Sequence, residues 1–308
     1  ISEEEIIRRT KEAIDRGATE VCLQGGIHPK FSGETYLDIV RAIRSVSDSI
    51  HIHAFSPLEI DHGRKTLNIS VKDFLIELKN VGLNSLPGTA AEILHDDIRA
   101  IICPDKLNSN EWVEIIKAAH SIGLPTTSTM MFGHVENMSH VAHHLIRLLE
   151  IQNSTNGLTE FVPLPFVAEE APIYRRGKSR PGPTFKETIL VHSVARILYN
   201  GSINNIQGSW VKMGLPGLKY LLSSGINDIG GVLMNESITR SAGASFGQEL
   251  NLDNVLSIID ELGLNLKQRN TLYHSLTNDI QDLINLQSIP LIPIINEYHQ
   301  PKKITTTV

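Results

Sequence analysis

The feature that most restricts the fold of this chain is a repeat of short apolar runs, each followed by an amphipathic helical pattern. The runs recur at intervals of roughly 25–45 residues, which leaves room for one crossover helix between successive strands. The repeat predicts parallel strands, and its unbroken rhythm favours a closed (β/α)8 barrel over a doubly wound open sheet. The predicted strands end near Gly26, Pro57, Gly88, Gly133, Pro165, Gly208 and Leu233.

Seven strands are predicted, whereas a barrel of this kind has eight. The chain opens with a helix, for which Ser2 is the predicted N-cap, so we expect the absent strand to be the first and to precede Ile1. We place the barrel at residues 1–250, and C-terminal helices with a polar tail at 251–308. The last strand is predicted over Ile229–Met234, and further helices over Thr89–Leu94, Asn251–Leu262 and Gln268–Leu286.

Candidate site residues lie where the predicted strands end. The pair Gly25–Gly26 leaves bare backbone at the tip of the first strand, and the active site of a barrel is assembled at this end of its strands. His28 and His134 follow two strand tips, a placement that indicates a polar substrate pocket. Glu92, predicted near a helix start, either interacts with the helix dipole or accepts hydrogen bonds from ligand hydroxyls such as those of a ribose.

Two further patterns leave alternatives open. His51 and His53 form an H-x-H pair on one strand, so both face the same side, and two imidazoles could hold a divalent metal as in barrel hydrolases. No obvious third ligand accompanies them. Asn235 and Glu236 follow the final strand, where they either cap a helix or contact substrate.

Charge and composition exclude several classes of protein. The net charge of −6, without a lysine run or basic stripe, argues against a general nucleic-acid binder. No segment approaches the roughly 18 unbroken apolar residues of a membrane helix. The two cysteines, Cys22 and Cys103, form neither a disulfide framework nor a metal-binding spacing, and we expect a reducing, cytoplasmic location.

Several short sequence motifs say more about the family of this chain than the spacing of the predicted strands does. In chain order they are QGGIHP, HIHAFSPLEI, SLPGTAAEI, IICPDK, PTTSTMMFGH, FVPLPF, RPGPTF, SWVKMG and GGVLMNESITRSAGA. Together they closely resemble the family formed by the second subunit, or second half, of FO synthase, which are radical S-adenosylmethionine enzymes. The resemblance runs from about Thr19 to Gln248, and it implies a radical S-adenosylmethionine barrel.

The resemblance also implies an activity. A [4Fe-4S] cluster would cleave S-adenosylmethionine to a 5′-deoxyadenosyl radical, which activates L-tyrosine. The 4-hydroxybenzyl fragment would then join 5-amino-6-(D-ribitylamino)uracil, giving the precursor of the deazaflavin chromophore. The implied partner is the first subunit, or fused first half, of FO synthase.

Site residues follow from the same resemblance. Gly25 and Gly26 would meet the methionyl amine of S-adenosylmethionine, and other residues would line the site of this cofactor or face substrate. The residues implied at the cofactor are Glu92, Thr127, Thr129 and Met131, and those facing substrate are His28, His53, His134, Asn235 and Glu236. No catalytic acid or base is predicted.

One departure bears directly on activity. The family binds its cluster through C-x-x-x-C-x-x-C, which this sequence does not contain, so we expect the cluster cysteines upstream and the 308 residues alone to be inactive. Two alternatives stay open at this point. One is a metal-dependent barrel hydrolase that uses the H-x-H pair, and the other is a catalytically degenerate binding partner.

Overall fold

Parallel strand segments follow one another in chain order in the computed structural model, which describes residues 1–234, 236, 238–243, 246–276 and 278–293. Two pairs of regular strands are joined to three shorter segments by single parallel bridges. The strands are β1 (Glu20–Leu23), β2 (His51–Ala54), β3 (Thr126–Phe132) and β4 (Leu158–Pro165). The bridges join His53 to Ser85, Leu86 to Thr126, Phe161 to Ile206, and Gln207 to Asp228. The predicted order of parallel segments is thereby confirmed.

Helices connect and cover these segments. Most begin at a Ser, Thr, Asn or Asp whose side chain accepts a hydrogen bond from the first turn. They are α1 (Glu3–Asp15), α2 (Gly33–Arg44), α3 (Pro57–Leu67), α4 (Val71–Asn80), α5 (Asp96–Ile102), α6 (Ser109–Ser121), α7 (Met138–Thr155), α8 (Pro172–Arg175), α9 (Phe185–Leu198), α10 (Trp210–Leu222), α11 (Ile238–Ser241), α12 (Leu252–Glu261) and α13 (Ile280–Gln287).

The two faces of the strands have different neighbours. Ile52 and Phe161 are fully buried in the apolar layer between strands and helices. Because successive side chains of a strand point to opposite faces, His51, His53 and Glu160 point instead into the barrel. The barrel interior is therefore polar, whereas the layer between the strands and helices is apolar.

Three predicted elements were wrong in detail. Residues 89–94 are not helical, since Ala90 and Glu92 have φ values of 59° and 48°, in the left-handed region. Residues 268–276 form no helix either: Arg269 pairs with Ser275 in an antiparallel bridge, and α13 begins only at Ile280. No residue of the last predicted strand, 229–234, forms a bridge with the other strand segments. The bridge forms one residue earlier, at Asp228.

The C-terminal segment packs closely against the rest of the chain. Val255 and Ile259 on α12 are buried in the same apolar cluster as Phe132 and Phe161. The division at residue 250 stays a prediction. Within the described residues, no helix combines the length and apolarity needed to cross a membrane.

Candidate active site at the strand tips

The glycine loop after β1 is fixed by a carboxylate from the next helix. Gly25 N–H donates to Glu59 Oε1 at 2.9 Å, while the other carboxylate oxygen accepts from Ser56 N–H at 2.8 Å and from its hydroxyl at 2.7 Å. Glu59 is 2% exposed. A Cβ on Gly26 would meet no atom within 4 Å, so its Cα faces open space, while its carbonyl accepts from the Tyr36 hydroxyl at 3.3 Å. The loop therefore offers accessible backbone on a rigid support.

The hydroxyls of Thr127 and Thr129 on β3 form hydrogen bonds with the backbone of a neighbouring glycine. Gly88 N–H donates to Thr127 Oγ1 at 2.9 Å, and the hydroxyl of Thr129 donates to Gly88 O at 2.7 Å. A Cβ on Gly88 would lie 2.3 Å from Thr127 O, so only glycine fits there. These two hydroxyls fix the loop before Glu92, and their contact with a cofactor stays a prediction.

Glu92 lies beside the tip of β3. Its backbone carbonyl accepts from Met131 N–H at 2.7 Å, and its Oε1 pairs with Lys106 Nζ at 2.6 Å. Burial lowers the pKa of His134 and of Lys212, and the negative charge of Glu92 offsets a smaller part of that effect in each. Glu92, Met131 and His134 are thus brought together at one end of the barrel.

His134 is fully buried, and both of its ring nitrogens have partners. Nε2 lies 3.0 Å from Met131 O, and Nδ1 accepts from Val135 N–H at 2.8 Å, an arrangement that fits the neutral ring. Burial lowers its pKa, and Glu136 offsets part of that effect. In this structure His134 anchors the turn after β3, and its predicted contact with substrate is untested.

The H-x-H pair shares one hydroxyl. His51 Nε2 and His53 Nδ1 lie 2.6 and 2.7 Å from Ser85 Oγ, so both rings face the same side, as alternation predicts. Burial lowers the pKa of His51 to about 4 and that of His53 to about 3. The described residues contain no group of three or more His, Cys, Asp or Glu arranged to hold a metal ion. The pair is therefore a neutral hydrogen-bonded unit that lacks a third ligand.

The remaining predicted residues are spread around the mouth. His28 is exposed on the loop after β1, where its Nδ1 accepts from Lys30 N–H at 3.1 Å. Glu236 Oε1 accepts from Thr239 N–H at 2.8 Å, while its Oε2 is buried and has no hydrogen-bond partner among the described residues. Asn235 lies outside the described residues.

Sequence reasoning missed two features of this end of the barrel. One is Glu59, although the capping-box spacing from Ser56 marks it as a residue that reaches back to the backbone. The other is Lys212, within the word SWVKMG. It is partly buried, and burial lowers its pKa against the opposing charges of Glu236 and Glu92. The sequence signal for this residue was a lysine within the largely apolar first turn of a helix.

Deeper in the barrel, a cluster of charged groups joins the strands to the C-terminal segment. Arg269 Nε pairs with Asp228 Oδ2 and its Nη2 lies 3.4 Å from Glu160 Oε2, which also accepts from the Tyr273 hydroxyl. The Arg269 guanidinium lies 4.1 Å from the centre of the Tyr273 ring. Burial and the Asp228 charge raise the pKa of Glu160 to about 7.

The cysteines do not fit an iron–sulfur cluster. Cys22 is exposed, on the strand face that lines the barrel. Cys103 is buried, and burial raises the pKa of its thiol. A [4Fe-4S] cluster is held by more than two cysteine thiolates, and these two cysteines stand 81 positions apart in the sequence, outside any group of three possible ligands among the described residues. The described residues therefore supply no cluster site.

Comparisons with known proteins now decide the family. The Radical SAM superfamily matches residues 1–148, and the CofH/MqnC C-terminal region matches residues 155–281. The 5-amino-6-(D-ribitylamino)uracil–L-tyrosine 4-hydroxyphenyl transferase of Methanocaldococcus jannaschii is 48% identical over 273 residues, covering 88% of this chain and 76% of that protein. The chain belongs to this transferase family.

Other relatives and solved structures agree with this family. The FO synthase of Mycobacterium leprae is 45% identical over 89% of this chain, which spans 32% of that longer protein. Methylornithine synthase (PylB) has the same fold, with a TM-score of 0.65 at 16% identity over 87% of this chain and 74% of that one. The radical S-adenosylmethionine barrel is confirmed, and the hydrolase and degenerate-partner alternatives are not favoured.

Proposed function

We propose that this chain provides the barrel of a radical S-adenosylmethionine transferase. It joins the 4-hydroxybenzyl group of L-tyrosine to 5-amino-6-(D-ribitylamino)uracil in the synthesis of the deazaflavin FO. The single observation that carries this proposal is 48% identity over 273 residues to a transferase that bears these two substrates in its name.

The chain's own residues have distinct tasks in this reaction. The open backbone at Gly26, held in place through Gly25 and Glu59, binds the methionyl group of S-adenosylmethionine, the source of the radical. Glu92 accepts hydrogen bonds from the ribose hydroxyls, in exchange for its contact with Lys106. The buried face of β3 excludes water from this side of the site. The ligands of a [4Fe-4S] cluster come from outside these residues.

The partners and location are part of the same proposal. The first half of FO synthase, encoded separately or fused, acts together with this chain. The length of the Mycobacterium leprae relative supports the fused arrangement as one possibility within the family. The enzyme works in the cytoplasm.

A chimera tests the transferase proposal. The part of the Methanocaldococcus jannaschii relative that this chain does not cover is fused to it, reconstituted anaerobically, and supplied with reductant, S-adenosylmethionine and both substrates. We expect the coupled product by mass spectrometry. Cleavage of S-adenosylmethionine without consumption of L-tyrosine would refute the proposed function.

The chain alone is the control for this assay. After the same reconstitution we expect no stoichiometric four-iron cluster, because Cys22 and Cys103 are the only cysteines and a four-iron cluster needs more than two cysteine ligands. Four iron ions per chain would show that the cluster does not depend on residues outside it.

A further inference from the structure

A cavity opens at the barrel mouth between the tip of β4 and the first turns of α9 and α10. Its volume of about 380 Å³ lies within the range of roughly 300–1,000 Å³ that is typical of small-molecule sites. Aromatic and aliphatic side chains form part of its wall, and polar groups, among them a lysine and the carboxylate residue Glu169, form the rest. The lining includes Phe166, Pro183, Lys212, Met213 and Phe246.

Lys212 is held at this cavity by a short, anchored helical turn. The turn follows the strand segment at Ile206–Gln207 and therefore lies at the carboxyl end of the barrel. The indole N–H of Trp210 donates to Gly231 O at 3.0 Å. Gly214, with φ 64° and ψ 176°, breaks α10 two residues later, and a Cβ there would lie 2.7 Å from the Phe246 ring. These contacts fix both the lysine and one wall.

The ammonium of Lys212 has no hydrogen-bond or ion-pair partner among the described residues. Two carboxylates, Glu236 and Glu92, are the charges that act on it. Glu92 is already paired with Lys106, whereas Glu236 has one buried oxygen without a hydrogen-bond partner in the part of the chain that the structure describes. Among the described residues, the mouth thus combines a cation without a partner, a carboxylate oxygen without a partner and a cavity with aromatic side chains in its wall.

A ligand that pairs with the lysine, pairs with the carboxylate oxygen and fills the cavity must carry a negative charge, a positive charge and an apolar group. A phosphate or another simple anion would be repelled by the two carboxylates, and a simple cation by the lysine. A zwitterionic amino acid with an aromatic side chain meets each requirement, because lysine is a common partner of carboxylates and aromatic rings pack well in apolar pockets.

We propose that Lys212 binds the carboxylate of an aromatic α-amino acid whose ring occupies the cavity beside Phe166 and Phe246 and whose ammonium faces Glu236. This assignment rests on the proposed function, in which L-tyrosine is the amino acid. Gly25 and Gly26, proposed to hold the methionyl group of S-adenosylmethionine, follow the first segment of the ladder, whereas Lys212 follows the sixth. The two amino-acid groups thus bind at different strand tips.

The test compares L-tyrosine with tyramine, which lacks the carboxylate. Calorimetric titration of the full chain measures both ligands for the wild type, Lys212→Met and Lys212→Gln. A charge-assisted hydrogen bond of this kind predicts roughly 10- to 100-fold weaker binding of L-tyrosine to both variants. Tyramine affinity is expected to stay unchanged. Lys219→Met is the matched control, since Lys219 lies on the same helix but pairs with Glu261 away from the cavity.

Several outcomes would overturn the assignment. If the Lys212 variants bind tyramine and L-tyrosine more weakly by the same factor, the substitution has damaged the cavity and has not removed a carboxylate contact. Weaker S-adenosylmethionine binding in Lys212→Met would assign the lysine to the cofactor. Failure of the wild type to bind any aromatic amino acid would also overturn it. If another aromatic amino acid binds in a Lys212-dependent manner and L-tyrosine does not, the assignment stands and the proposed transferase function fails.

Discussion

Replacing Glu59 by Gln tests whether this carboxylate controls the glycine loop. Its two oxygens accept three hydrogen bonds, one from Gly25 and two from Ser56, while 2% of the residue is exposed. A glutamine of the same shape has one oxygen and one NH2 group. If the oxygen stays on Ser56, the NH2 group faces Gly25 N–H, and two donors meet.

The free-energy cost of Glu59→Gln follows from the loss of the hydrogen bond that Gly25 N–H donates. A hydrogen bond to a charged group contributes about 1.5–3 kcal/mol, and the neutral amide offsets part of the loss because it is easier to bury. We expect a net cost of about 2 kcal/mol. The cost falls on the loop, so local opening becomes roughly 30-fold more frequent, since every 1.4 kcal/mol is a factor of ten.

Hydrogen exchange with mass spectrometry measures this opening directly. Faster exchange is expected in peptides that contain residues 24–28 of Glu59→Gln. The matched control is Glu111→Gln. Glu111 occupies the same capping-box position on α6 and accepts from Asn108 N–H at 2.8 Å, and within the described residues its side chain makes no hydrogen bond to a distant loop. Unchanged exchange at 24–28, or an equal increase in the control, would refute this account of Glu59.

Three further perturbations have expected outcomes. Arg269→Met leaves Glu160 and Asp228 as buried carboxylates without their cation, and should lower the free energy of unfolding by about 3–5 kcal/mol in urea titrations. Gly88→Ala places a Cβ 2.3 Å from Thr127 O and should cost about 1–3 kcal/mol in the same assay. Stability should fall as the pH drops from about 6.5 towards 4, by up to about 1.4 kcal/mol per pH unit for each buried neutral histidine, because the unfolded chain binds those protons first. The histidines whose pKa burial lowers to about 3 or 4 are His51, His53, His120, His144 and His192.

Each perturbation has its own check. Adding Glu160→Gln to Arg269→Met should restore part of the lost stability, because one buried charge is removed; no recovery would argue against charge as the cause. Gly231→Ala is the control for Gly88, since the nearest atom to its Cβ would be 3.6 Å away. A free energy of unfolding that is constant between pH 7 and 5 would contradict the histidine account.

The strand order could be predicted because parallel segments and crossover helices leave a regular spacing in the sequence. The stretch 89–94 shows where local pattern fails. Its residues favour a helix, but Glu92 O accepts from Met131 N–H, and this contact holds the chain in a left-handed conformation. A hydrogen bond to a distant strand outweighed helix propensity, which is a weak term.

The candidate site was predictable to a similar extent. The predicted strand end at Gly133 located His134, and the family resemblance placed Glu92 and Met131 at the cofactor site beside it. Spacing could not show that the hydroxyls of Thr127 and Thr129 turn to Gly88, nor that Glu59 reaches a glycine 34 residues earlier. Those contacts depend on the relative position of two strands, which the sequence pattern does not specify.

The charged cluster around Arg269 also limits when this protein can fold during synthesis. The Thr271 hydroxyl contacts Glu20 across 251 residues of sequence, and Arg269 and Tyr273 supply the partners of Glu160. While the ribosome still holds residues 269–273, the strands have emerged but the carboxylates inside them lack their partners. Contacts of such long range form slowly and leave incomplete barrels exposed to aggregation. The final assembly of the barrel therefore waits until residues 269–273 have been released.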